Sequence, residues 1–195
     1  MNEKHFIGPE AIIEKKKKYI MPCLAHFYKN PQEMVKGSMQ YLWDSNGKKY
    51  LDCYAGVSVM NCGHCNPDIN QPMKAQMDEL QHVCNIYLTE NFVNLAERLA
   101  EVTPGALQKC FFCSTGSEAT EGALLLAEVY NGNSEIIALR QGLHGRTKLG
   151  MSVTGLTMWR TAPTPVGGIH FAPNPYCYRC PLGKKPDTCD LACAN

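Results

Sequence analysis

The chain has no large excess of charge of either sign, its formal net charge being +1, and no long apolar run. Nineteen Lys and Arg face eighteen Asp and Glu over 195 residues, so no global field draws it to nucleic acid or to an anionic membrane. Its one basic run, Lys15 to Lys18, lies beside Ile12, Ile13, Tyr19 and Ile20 and reads as the solvated face of a helix. No stretch approaches the roughly 20 apolar residues that cross a bilayer, and Met1-Asn2-Glu3-Lys4-His5 leads into no apolar leader segment. Membrane insertion and secretion are therefore not expected. No internal repeat suggests a solenoid. Cysteine is abundant, but its eleven residues are odd in number and scattered through helix-like and strand-like segments, unlike a secreted disulfide framework. A reducing cytoplasm is the expected setting.

The ordered pattern begins with a short helix over residues 9–20 and a loop broken by Pro22 and Pro31. Tyr41-Leu42-Trp43-Asp44 and Lys49-Tyr50-Leu51-Asp52 flank Asn46-Gly47, a hairpin signal. Asn66 or Asp68 can cap a helix running to about His82, and a further helix over residues 91–102 stops at Thr103-Pro104-Gly105. From there the style changes. Cys110-Phe111-Phe112-Cys113 reads as a strand, Ser114 to Ser117 as a turn and the residues after it as a helix. Residues 135–140 read as a second strand. Strand, helix and strand make the unit of a parallel sheet. The expected division is 1–106, a small-domain segment with connecting helices, and 107–195, a sheet-bearing part that ends in a Cys-rich loop.

The turn Ser114-Thr115-Gly116-Ser117 raises the first chemical question. A strand that opens through glycine into a helix leaves the first helical N–H groups unpaired, and hydroxyls beside them suit a phosphate. The same residues suit a plain helix start with Ser117 as the cap. Glu118 sets a condition on the first reading, because a carboxylate beside phosphate repels it unless it turns away or meets a cation such as Arg140 or Arg146.

Five segments recur in order: the hairpin from Tyr41 to Asp52, Gly63-His64-Cys65-Asn66-Pro67, Asn94 to Leu99, Ser114 to Ala119, and His144-Gly145-Arg146-Thr147. Together they resemble the N-terminal half of a class III aminotransferase, from about Pro31 onward. The resemblance implies an α/β chain. It would be a partial type I fold of pyridoxal 5′-phosphate (PLP) enzymes, with an α+β small-domain segment and the start of a mainly parallel large-domain sheet. It implies that Thr115, Gly116 and Ser117 hold the PLP phosphate and that Leu143 and His144 cover its ring. Where the family usually has an aromatic residue, Leu143 offers dispersion but no π face. For His144 a packed turn histidine is the alternative. Gly56 and Val57 match a loop near the substrate, or simply leave the hairpin.

The implied reaction moves an amino group from an amino acid or ω-amino donor to a 2-oxo acid. In the family, the lysine that joins PLP covalently and the acid on its ring nitrogen both follow the point where this sequence stops. No lysine here, Lys148, Lys184 and Lys185 included, stands in a matching context. The chain is therefore expected to be an amino-terminal fragment that is inactive alone and completed by a C-terminal half or by homo-oligomer formation, the family being dimeric.

The Cys-rich end carries a further motif, although a similar loop occurs in some aminotransferases of this type without an implied metal. Cys177, Cys180, Cys189 and Cys193 form a C-x2-C and C-x3-C arrangement that could surround a tetrahedral zinc. A non-catalytic zinc module, or a partner completing another polypeptide's site, is the rival function. Cys62 and Cys65 also have C-x-x-C spacing but lie after a hairpin, the wrong context for redox catalysis.

Overall fold

The computed structural model describes residues 5–161 and 165–194. Chain contacts separate two compact units, Met1–Leu88 and Thr89–Asn195.

In the first unit, helix α1 (Pro9–Tyr19) starts with proline, carries Glu10 in its first turn and Lys16, Lys17 and Lys18 in its last. Each charge opposes the helix dipole at its end. Strands β1 (Met34–Ser38), β2 (Tyr41–Asp44) and β3 (Lys49–Leu51) form an antiparallel meander. Tyr41 stands opposite Leu51 and Trp43 opposite Lys49. Buried Asp44 shapes the hairpin turn: Oδ1 accepts the N–H groups of Asn46 and Lys48, both at 2.9 Å, and Oδ2 accepts the Tyr50 hydroxyl at 2.8 Å. Chiefly through Tyr50, these donors hold the Asp44 carboxyl below the usual carboxylate range. One tight helical turn, α2 (Ala55–Ser58), follows. Helix α3 (Pro67–Glu79) then begins where the Asn66 side chain accepts the Asp68 N–H at 3.0 Å.

In the second unit, helix α4 (Glu90–Val102) sets Phe92 edge-on to Phe112, with ring centroids 5.0 Å apart. The Cys110 thiol meets the Ala96 carbonyl. These contacts tie residues 110–112 to α4, and the break between compact units accordingly falls before that helix. The strand expected at residues 110–113 is not formed: an extended run becomes a strand only by pairing, and no described residue pairs with it. Helix α5 (Gly116–Asn131) ends at Gly132, whose φ of 68° closes it in the left-handed region. Strands β4 (Ile136–Leu139) and β5 (Ile169–Ala172) pair in parallel, Ile136 opposite Ile169. The crossover between them carries the short helix α6 (Lys148–Ser152). The parallel pair with its helical connection bears out the α/β expectation.

Burial is sparse. Among the described residues, Ala138 and Val153 are the buried apolar side chains. The chain exposes 16471 Å², against about 9,200 Å² for a compact protein of its mass.

Candidate functional site

The N-terminus of α5 is built by a reciprocal cap. Thr115, extended at φ −139°, accepts the Glu118 N–H with its hydroxyl at 3.2 Å, and Glu118 Oε2 accepts the Thr115 N–H at 2.9 Å. The cap is therefore Thr115, and Ser117 is the second residue of the helix. The same bond settles where Glu118 goes: its carboxylate turns back onto Thr115 and pairs with neither Arg140 nor Arg146 among the described residues. The N–H groups of Gly116 and Ser117 find no acceptor among the described residues, and a Cβ at Gly116 would meet nothing within 4 Å. Two free donors thus stand at the positive end of a 16-residue helix.

The loop after β4 closes onto this end. Ser117 Oγ accepts the Arg146 N–H at 3.0 Å, which leaves the serine proton free to be donated elsewhere. Gly145, at φ 130°, lies so close that a Cβ there would come within 2.5 Å of Ser117 Oγ. The loop is pinned from behind by Thr154, fully buried, whose hydroxyl accepts the His144 N–H at 3.0 Å and donates to the Gly150 carbonyl at 2.7 Å. Thr147 caps α6 through the Gly150 N–H, and the Arg146 guanidinium lies 5.8 Å from the Trp159 ring centroid. The His144 ring lies against Gly142, where a Cβ would come within 2.5 Å of its Nε2, while Leu143 remains 57% exposed.

Two of the motifs read in sequence, Ser114 to Ala119 and His144 to Thr147, therefore meet in space. Gly56 and Val57 belong to the first unit and form α2, with Val57 70% exposed. Cys177, Cys180, Cys189 and Cys193 line one small cavity near Leu182 and Pro186. Tetrahedral zinc would hold four sulfurs about 3.8 Å apart, but no metal-holding group of three or more His, Cys, Asp or Glu exists among the described residues. All eleven thiols are free. Sequence reasoning missed Thr154, whose only signal is a small polar residue in an apolar stretch, and the Asp52–His64 pair, which no local spacing announces.

The family pattern of Aminotransferase class-III matches residues 25–192. The chain belongs to this family. It is 40% identical over 176 residues to alanine–glyoxylate aminotransferase 2 homolog 2, mitochondrial, of Arabidopsis thaliana, a match covering 89% of this chain and 37% of that relative. In structure it resembles a phospholyase from Arthrobacter in complex with phosphoethanolamine (31% identity, TM-score 0.75, 84% of this chain, 38% of the other). It also resembles an amine transaminase from an uncultivated Pseudomonas species in its PLP-bound form (27% identity, TM-score 0.71, 85% and 40%). The chain thus spans well under half the length of each of these proteins. No helix among the described residues is long and apolar enough to cross a membrane.

Proposed function

We propose that the chain is the N-terminal part of a PLP-dependent class III aminotransferase that moves an amino group from an amino acid or ω-amino donor to a 2-oxo acid. One observation carries this reading: Ser117, at the free end of α5, is joined to the 144–147 loop by the Arg146 N–H. The donors present fit a phosphate. Gly116 and Ser117 offer two unpaired N–H groups, the Ser117 hydroxyl offers a third proton, and the helix dipole favours an anion there. Thr115 contributes by fixing the cap and keeps a hydroxyl proton of its own. Leu143 is the side chain available to cover the ring by dispersion, and His144 holds that loop in shape rather than reacting. PLP, when bound, supplies an electron sink for the carbon bearing the amino group.

In this reading residues 107–195 are the PLP-holding part, and residues 1–106 carry Gly56 and Val57 toward substrate. The lysine and the acid that the chemistry needs come from a C-terminal half or from a second subunit, and eleven free thiols suit the cytoplasm. The expected test result follows from the missing lysine. The 195-residue chain, given PLP, a panel of amino donors and 2-oxo acids, transfers no amine above the free-cofactor background. Co-expressed with the segment that follows it in class III relatives, it does. Robust transfer by the chain alone contradicts the proposal. Phosphate release from phosphoethanolamine by the assembly, without amine transfer, contradicts the transferase reading and favours a lyase.

A further inference from the structure

The turn α2 is held in a conformation that its own residues disfavour. Ala55, Gly56, Val57 and Ser58 all have positive φ, at 48°, 58°, 63° and 66°. Only glycine enters this region freely, and a β-branched residue such as Val57 is the least suited to it. The turn's internal bonds run from the Val57 and Ser58 N–H groups to the Tyr54 carbonyl and from the Val59 and Met60 N–H groups to the Ala55 carbonyl. These bonds are few, so groups outside the turn must hold it.

Asp52 is placed to do so. Its Oδ1 accepts the N–H groups of Tyr54 at 3.0 Å and Ala55 at 2.9 Å, at the entrance of the turn. Its Oδ2 accepts from His64 Nε2 at 2.6 Å. His64 is itself anchored: it exchanges two backbone bonds with Met39, of 2.7 and 2.8 Å. Its side chain also lies so near β1 that a Cβ at Gly37 would come within 2.8 Å of the His64 Cβ. The two side chains are 9% and 19% exposed. The arrangement therefore has a shielded clamp on one side and an exposed apolar residue, Val57, on the other.

We propose that Asp52 and His64 are positioning residues for the amino donor: they fix the left-handed turn so that Val57 forms a rigid apolar wall against the donor's carbon side chain. This rests on the reading that the turn faces substrate.

Amide exchange tests the clamp and donor kinetics tests what the clamp is for. In the 195-residue chain, Asp52→Ala removes all three bonds to the carboxylate, speeds exchange at Val57, Ser58 and Met60 by about tenfold or more, and leaves α3 amides unchanged. Gly37→Ala, which disturbs His64 while keeping both clamp residues, acts in the same direction. In the PLP-loaded assembly, these variants raise donor KM about tenfold with kcat and PLP content within about twofold. His64→Ala, which removes the partner of Asp52, acts like Asp52→Ala, and His64→Gln, which keeps a donor for Asp52, shows smaller changes in both exchange and donor KM. If Asp52→Ala also loosens α3, Asp52→Asn, which keeps an oxygen for the two N–H groups, replaces it and must still speed exchange. Unchanged exchange in these variants overturns the clamp. Faster exchange with donor KM unaltered for every donor leaves the clamp standing and overturns the placement of the turn at substrate.

Discussion

Gly145→Ala tests the cradle through a residue that carries no functional group. A Cβ at position 145 would stand 2.5 Å from Ser117 Oγ, 3.0 Å from its Cβ and 3.1 Å from its Cα, where ordinary contact begins at 3.4 Å. Rotating the serine side chain does not relieve a clash with its Cα, so the loop and the helix end must separate. The native φ of 130° adds a backbone cost, because alanine rarely adopts it. Strain of this kind costs about 1–3 kcal/mol of stability. Separation also breaks the Arg146 N–H bond to Ser117 and misdirects the serine proton. A hydrogen bond to a charged group contributes about 1.5–3 kcal/mol, so PLP should bind roughly 10- to 150-fold more weakly. Ser117→Ala removes the same donor without strain and should show a similar loss of affinity with a smaller loss of stability. Because both substitutions act on one hydroxyl, the double variant should bind PLP about as weakly as the worse single variant rather than additively. PLP titration by absorbance in the assembled protein, with thermal unfolding in parallel, measures both quantities. Native PLP affinity in both single variants would refute the cradle.

Three further outcomes are expected. Thr115→Ala breaks the reciprocal cap and costs about 1 kcal/mol in urea unfolding, whereas Thr115→Ser costs little. Acid weakens the first unit: the carboxyls of Asp44, held low mainly by Tyr50, and Asp52, held low mainly by His64, contribute stability that is present above the unfolded value near pH 4. That stability is lost as pH falls through their lower folded values, so hydrogen exchange in the meander should accelerate as pH falls below about 4 and less so in Asp52→Asn. Finally, with Leu88, Phe111, Tyr130 and Ile137 almost wholly or largely exposed, the isolated chain should self-associate in light scattering, and co-expression with the segment that completes the sheet should suppress this. A monodisperse monomer with sharp cooperative unfolding would contradict that expectation.

The sequence showed the local elements more clearly than their pairing. Asn66 before Pro67, Thr103-Pro104-Gly105 and Asn46-Gly47 each carry their own stop or turn chemistry, and the corresponding helices and hairpin form where those residues direct. Cys110 to Cys113 has the apolar character of a strand, but a strand also needs a neighbour, which composition does not reveal. The left-handed α2 was equally hidden: three of its four residues argue against positive φ, and the groups that impose it, Asp52 and His64, are held together by the meander rather than by sequence spacing. At the candidate site the turn that opens α5 was legible. Whether Ser117 capped the helix or faced outward was not, because Thr115 and Ser117 are both good caps and only the Glu118 side chain decides between them.

The central claim is that the free end of α5 holds the phosphate of PLP. The most direct measurement compares the affinity of the assembled protein for PLP with its affinity for pyridoxal, which lacks the phosphate, in the native sequence and in Ser117→Ala. The account predicts much tighter binding of PLP and a difference that shrinks by roughly tenfold or more when the serine donor is removed. Equal affinities for the two compounds, or a difference that Ser117→Ala leaves intact, would contradict it.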